Sequence, residues 1–256
     1  SVLLSRISLF AALPALIIAL CAIFSVRLGA LSLAAGLTLM LPAAALALIA
    51  FLAGGAWTWR ALKANDSQGW RFGAVGFAVA LAILAPAGND TIRRFTSAPL
   101  VDITTDPGEP PQLIAVLPER TGADNPPDYD GDRKLVYEGK ETTALAVQKK
   151  AYPTLRPYAG LVPRAESPKT VMFWRAFEAA KRMGWHIVSF DEKTGHIEAT
   201  DSSLFFGTKD DVAIDVRPAG KSGARVEIRS KSRMGDNDGG ANAARIKSYV
   251  QEIGRR

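Results

Sequence analysis

Charge is missing from three long stretches near the start of the chain. Ile7–Val26, Leu28–Trp59 and Phe72–Asn89 contain no Asp, Glu, Lys, Arg or His. A helix of ~20 apolar residues crosses ~30 Å of hydrocarbon, so the three stretches read as transmembrane spans. Cysteine is nearly missing as well. The single Cys21 lies inside the first stretch, which excludes an intramolecular disulfide and a cysteine-based zinc site. Histidine occurs only at His186 and His196, and a hairpin register that sets His196 near Phe190 keeps the two apart. No metal or cofactor is expected. The chain has no G-x-S-x-G elbow and no Walker-type glycine loop. The spans hold no ionisable residue mid-membrane that would carry a proton or an ion.

The net charge of +6 suggests nucleic acid until the chain is divided. Up to Arg94 there are seven basic residues against Asp66 and Asp90; beyond it there are 24 basic and 23 acidic. The excess flanks the spans, where it meets anionic headgroups and sets orientation. The remainder lacks the basic stripe of a nucleic-acid reader, and no nucleic-acid partner is expected.

Ser1–Ser25, with Arg6 as a basic start, resembles a signal peptide, but further spans follow and a signal anchor is the better reading. Arg6, Arg60, Lys63 and Arg71 fall on one side of three spans; Arg27, Arg93 and Arg94 fall on the other. Four against three favours a C-terminal part in the periplasm of a Gram-negative inner membrane. The spans are set at about 7–26, 36–59 and 72–89, with Gly29–Gly36 in a loop and Pro42 near the start of its helix. Trp57, Trp59 and Trp70 bracket the second loop as interfacial aromatics do. Gly54, Gly55, Gly73 and Gly76 permit close helix contacts.

Residues 1–94 thus form a helical membrane domain, residues 95–166 a proline-rich wrapping segment and residues 167–256 an α+β soluble domain. Pro99–Pro168 holds 11 of the 15 prolines. It is expected to be mostly extended coil that wraps the following domain through Leu113–Leu117, Val136, Tyr152, Leu155 and Tyr158, with one short helix over Thr142–Ala151. Ser167 caps a helix that has Pro168 at its first position and ends at Gly184. Strands follow over Trp185–Phe190, His196–Thr200, Val212–Arg217 and Arg225–Lys231, and a last helix begins near Ala241. Ile197, Ala199, Val212, Ile214, Val216, Val226 and Ile228 share one sheet face. Glu198, Thr200, Asp215, Arg217, Arg225, Glu227 and Arg229 share the other, expected to be solvated or partner-covered and laced with cross-strand ion pairs. The fold class is α+β: a bundle of three transmembrane helices, then a two-layer domain with an antiparallel sheet packed against helices.

The run GWHIVSFDEKTGHIEATDSSLFFGTKDDVAIDVRP and then RVEIRSKSRMGDNDGGANAARIKSYV resemble the bacterial and plastid family called domain of unknown function 1499. The upstream DITTDPGEPPQL and the AYP at Ala151–Pro153 fit the same pattern, so the resemblance covers about Val101–Ile253. It implies a fold and a location. The family carries no established catalytic residues, so the resemblance implies no mechanism.

Two constellations stand out. Phe205-Phe206 in the loop between hairpins, together with Arg93 and Arg94 beside the last span, are candidate contacts to a partner or to the bilayer. Ser232, Arg233 and Asn242 surround the start of the last helix, where free N–H groups attract anions. Asp236 and Asp238 oppose that, and Asp238 is a candidate N-cap that would use those groups internally. Asp236–Gly239 lacks the ligand run of a calcium loop. Asp210 and Asp211, adjacent on a strand, point to opposite faces and do not make an acid/base pair. No catalytic residue is assigned. The expected role is an accessory or interaction subunit among membrane lipids and other integral-membrane subunits. A periplasmic module for a lipid or small ligand is the alternative, and a hydrolase is the third reading.

Overall fold

The computed structural model describes residues 3–66, 69–162 and 166–255. The chain divides into two compact units: residues up to Ile92 with Leu204–Gly207, and Arg93–Ser203 with Thr208–Arg256.

The first unit contains α1 (Leu3–Arg27), α2 (Leu33–Lys63) and most of α3 (Gly69–Thr96), all three long and apolar enough to cross a membrane. Helix α2 starts earlier than the expected loop allows. Ser32 caps it, its Oγ accepting from the Ala35 N–H at 3.2 Å. Pro42 therefore lies inside the helix and not in its first turn. Lipid offers no hydrophobic drive between helices, so packing here depends on close approach. Ala12, Ala15, Ala47, Ala50 and Ala80 fill the shared centre. Ser8, fully buried, donates to the Ala50 carbonyl at 3.1 Å. A Cβ on Gly76 would stand 1.9 Å from Ser8 Oγ, and one on Gly54 would meet the Gly73 carbonyl at 2.6 Å. These glycines are contact points.

The second unit is built on a six-stranded antiparallel sheet. Its strands are β1 (Asp102–Thr104), β4 (Tyr158–Leu161), β5 (His186–Asp191), β6 (His196–Ser202), β7 (Lys209–Pro218) and β8 (Gly223–Ser232). The order runs β5-β6-β7-β8, and the far side of β8 pairs with β4 along its first half and β1 along its second. A separate hairpin, β2 (Lys134–Tyr137) and β3 (Lys140–Thr143), leads into α4 (Ala144–Ala151). The four longer strands and the helices α5 (Pro168–Arg182) and α6 (Ala241–Gly254) follow the sequence pattern closely. Strands β1 and β4 do not: each is three or four residues of a proline-rich segment, too short to show alternation.

One face of the sheet carries Ile197, Ala199, Val212, Ile214, Val216, Val226 and Ile228, all fully buried. Register explains the match, since Ile197 lies opposite Ile214, which lies opposite Ile228. Helices α5 and α6 close this face with Met172, Phe173, Ala176, Ile246 and Tyr249. Burying one such side chain contributes about 1.5–3 kcal/mol. Tyr249 donates its hydroxyl to the Ala176 carbonyl at 2.7 Å, which ties the two helices together. Phe173, Ala176, Ile214, Ile228 and Ile246 are packed there without exposure.

The opposite face corrects the sequence expectation. Glu198, Asp211, Glu227, Arg229 and Lys231 are buried. Residues 106–133 of the same chain, irregular apart from a 3-10 turn at Leu117–Arg120, lie across them. The cover adds only a small apolar contact, Leu113 and Val116 on Ala213 and Val188. Hydrogen bonds and ion pairs to the buried charges make up much of the rest.

Overpacking a tight interface costs about 1–3 kcal/mol. Gly76→Val should therefore lower the thermal midpoint of the detergent-solubilised protein by several degrees. Gly88→Val, at a helical position with nothing near its Cβ site, should leave it within about a degree or two. Equal effects from both would show that Gly76 is no contact point.

A buried ionic layer as the candidate functional site

Successive residues of a strand face opposite ways, so Arg225, Glu227, Arg229, Lys231 and the following Arg233 line one side of β8. Three groups of charges form around that row.

At the β1 side, Asp102 is the shared acceptor. Arg229 grips it with two bonds, Nε to Oδ1 at 2.9 Å and Nη2 to Oδ2 at 2.8 Å. Lys231 Nζ reaches Oδ2 at 3.0 Å. Arg229 also donates to the Pro111 and Pro127 carbonyls and stacks near Tyr129, 5.5 Å from its ring centre. Burial and the neighbouring Asp102 push the Tyr129 hydroxyl up to about 12.

Asp211 on β7 anchors the second group. Arg233 donates to both its oxygens, Arg120 reaches it from the cover, and Thr200 adds a hydroxyl. Arg233 continues to the Glu119 carbonyl at 2.6 Å.

The third group centres on half-buried His196. Its Nδ1 meets Asp215 at 2.6 Å and its Nε2 meets Glu198 at 3.1 Å. Glu198 also accepts the N–H groups of Ile114, Ala115 and Val116 at 2.7–3.1 Å, three consecutive cover donors on one carboxylate. Burial opposes the imidazolium, but hydrogen bonds to Asp215 and Glu198 outweigh it and raise its pKa to about 9. Burial likewise works against both carboxylates, yet their bonds to His196 hold them below the usual range. His196 is thus a held cation, with both ring nitrogens engaged and neither available as a base. Nearby, Glu227 sits between Arg217 and Arg225; burial raises its pKa against the pull of both.

Of the candidate contact residues singled out from the sequence, Arg233 falls within the layer and the others lie elsewhere. Ser232 and Asn242 meet at 2.9 Å, and Asn242 also bonds Ser230 and the Val101 carbonyl. Arg233 lies on the other sheet face, with Asp211. All three are buried and satisfied inside the domain. Asp238 takes the N–H groups of Gly240 and Asn242 at 2.7 and 2.8 Å, so it occupies the helix terminus as expected of a cap. Residue Gly240, at φ 78°, holds the N-cap position itself. Arg93 and Arg94 donate to the Gly239 and Asn237 carbonyls of the same loop. Phe205 is 44% and Leu204 82% exposed. Asp210 turns away from Asp211 to Arg245, which also binds Asp201. His186 pairs across from Thr200, a strand length from His196. Among the described residues no group of three His, Cys, Asp or Glu side chains is arranged to hold a metal.

The layer escapes a local reading because the contacts that join its two halves span from 82 to 129 positions. A signal was present: Asp102–Asp132 has eight acidic residues and one basic, whereas Arg217–Arg233 has six basic and one acidic.

A family model described as "Protein of unknown function (DUF1499)" matches residues 102–253. The chain belongs to that family. The match opens on Asp102, the first residue of β1, and so takes in the DUF1499 sheet, its cover and every charged pair above. No curated protein matches the chain.

The pH dependence follows from the directions of these shifts. A raised histidine pKa stabilises the fold fully below the unfolded value near 6.5, and that contribution is lost as pH rises toward 9. The lowered carboxylates act oppositely, stabilising above their unfolded values and losing it as pH falls through the folded ones. Hydrogen-exchange protection of β6 and β7 in the full chain should peak near pH 5–6 and decline between 7 and 9. His196→Gln should lower the peak and flatten the alkaline decline. An unchanged alkaline decline would mean that His196 is not the titrating group.

Proposed function

We propose that this protein is a membrane-anchored accessory subunit of a larger inner-membrane assembly, respiratory, photosynthetic or transport, and that its DUF1499 domain is a non-catalytic interaction module in the periplasm. The observation that carries this reading is how the polar side chains are used. Asp102 holds Arg229 and Lys231, Asp211 holds Arg120 and Arg233, His196 is held by Asp215 and Glu198, and Glu198 also takes three backbone N–H groups, as in a structural layer. A hydrolytic role would need a nucleophile beside a free base, and His196 has no free nitrogen to serve as one. A lipid-binding role would need room between helices and sheet, where Phe173, Ile214 and Ile246 are packed without exposure.

The periplasmic placement rests on loop charge, four basic residues against three. Alkaline phosphatase fused after Arg256 should be active, because that reporter forms its disulfides only in an oxidising compartment. An inactive fusion, paired with a fluorescent cytoplasmic reporter at the same point, would place the domain inside.

Phe205 and Leu204 supply apolar surface in an otherwise polar loop and are the contacts proposed for a partner or the bilayer, with Phe206 beside them. On native gels of gently solubilised membranes the protein should migrate above its monomer mass. Phe205→Ser with Phe206→Ser should return it to the monomer position while shifting the domain's thermal midpoint by no more than about 2 °C. Monomeric migration of the unaltered chain would overturn the assembly reading. A large fall in midpoint would show the phenylalanines to be core.

A further inference from the structure

The buried cations of the β8 row, together with Arg120 of the cover, outnumber the carboxylates that reach them. Arg120, Arg229, Lys231 and Arg233 are each less than a tenth exposed. Asp102 serves Arg229 and Lys231, and Asp211 serves Arg120 and Arg233. Glu119, at the rim, adds a third carboxylate 3.5 Å from Arg233. The two other buried carboxylates are committed elsewhere: Glu198 to His196 and the cover N–H groups, Glu227 to Arg217 and Arg225. Four cations therefore share three carboxylates. Carbonyl oxygens of Pro111, Pro127, Asp128 and Glu119 offset part of the imbalance, but a carbonyl dipole does not cancel a buried charge.

The surplus is concentrated at Lys231. An ammonium has three donors, and its two bonds within the described residues go to Asp102 at 3.0 Å and the Asp128 carbonyl at 2.8 Å. Burial lowers its pKa; Asp102 opposes this, and Arg229 and Arg120 add repulsion. Beside it is a largely enclosed cavity of about 70 Å³, walled by Lys231, Asp102, Asn125, Asp130, Arg133 and Ala144 among others. A single water requires roughly 10–15 Å³ on this measure, so the cavity accommodates a group of a few heavy atoms. Its two carboxylates do not cancel the field of Lys231. Asp102 is already shared by two cations, and half-exposed Asp130 faces Arg133 at 3.8 Å.

From this juxtaposition we infer that the cavity is a binding site for a small free oxyanion of the size of phosphate, sulfate or bicarbonate, held by Lys231 with Arg133 at the mouth. Such an anion satisfies the remaining ammonium donor and restores charge balance to the layer, so it also fastens residues 124–133 of the cover to β8. A volume this small suits a free anion better than a lipid headgroup carrying its glycerol.

The test uses the full chain in nonionic detergent. Sodium phosphate, sulfate and bicarbonate are titrated against chloride at matched ionic strength, while the thermal midpoint and hydrogen exchange over 124–133 are followed. At least one oxyanion should raise the midpoint saturably at millimolar concentration and slow exchange in that segment. Arg133→Gln, at a partly exposed position, should fold and bind about tenfold more weakly, the equivalent of one charge-assisted bond. Lys231→Met should abolish the response. The inference fails if no oxyanion gives a saturable change, or if Arg133→Gln responds as the unaltered chain does.

Discussion

The two-residue period of β8 constrains the rest of the domain. Val226 and Ile228 must face the helices for the core to close, and the pleat then sends Arg225, Glu227, Arg229, Lys231 and Arg233 to the other side. Strands β1, β4 and β7 flank β8 on both edges, so this row has no route to solvent past a sheet edge. A central strand with that sequence requires a cover, and the cover must bring acceptors. Asp102 is the most heavily used of them. It belongs to β1, so the strand that completes the sheet edge also supplies the shared acceptor of Arg229 and Lys231.

That arrangement explains why the cover has so little regular structure. Prolines have no N–H to satisfy, and a proline-rich chain keeps its carbonyls free to accept. Pro111 and Pro127 do so for Arg229, and Asp128 does so for Lys231. Where the cover does have consecutive N–H groups, at Ile114–Val116, they converge on Glu198. The segment is a set of acceptors and donors matched to a charged surface. Breaking one member strands its partner: removing one side of a buried pair costs about 3–5 kcal/mol. The layer therefore rigidifies the domain only as a complete set.

Legibility in the sequence followed the range of the interactions. The spans, the cap at Ser167, the four long strands and the apolar face were readable because each depends on neighbours within a few residues. Gly195 closing the β5–β6 turn at φ 85° is of the same kind. The polar face was assigned correctly residue by residue, yet its burial was not readable, since alternation distinguishes two faces without saying what lies on the second. The contacts that decide it, such as Arg229 with Asp102, span 127 positions. Short β1 and β4 were hidden for a related reason: an edge strand held by its partner's hydrogen bonds needs no pattern of its own. The start of α2 is hard to read because Ala34, Ala35 and Gly36 are equally at home in a loop, and the decisive signal is the Ser32 cap.

The same logic sets the extent of the domain. Reading the soluble part from residue 167 selects α5, α6 and the long strands, but it omits Leu100, Ile103, Val147 and Val162, which are buried in the same apolar core. It leaves out Asp102, Arg120 and the donors at 114–116, and with them the counterparts of Arg229, Lys231, Asp211 and Glu198. A domain cut there would lose part of its hydrophobic core and the partners that residues 102–120 bring to its charged face. The family match begins at Asp102, where the first of those counterparts enters the sheet. The proline-rich segment is therefore a structural part of the domain, and the unit that folds is the sheet together with the chain that covers it.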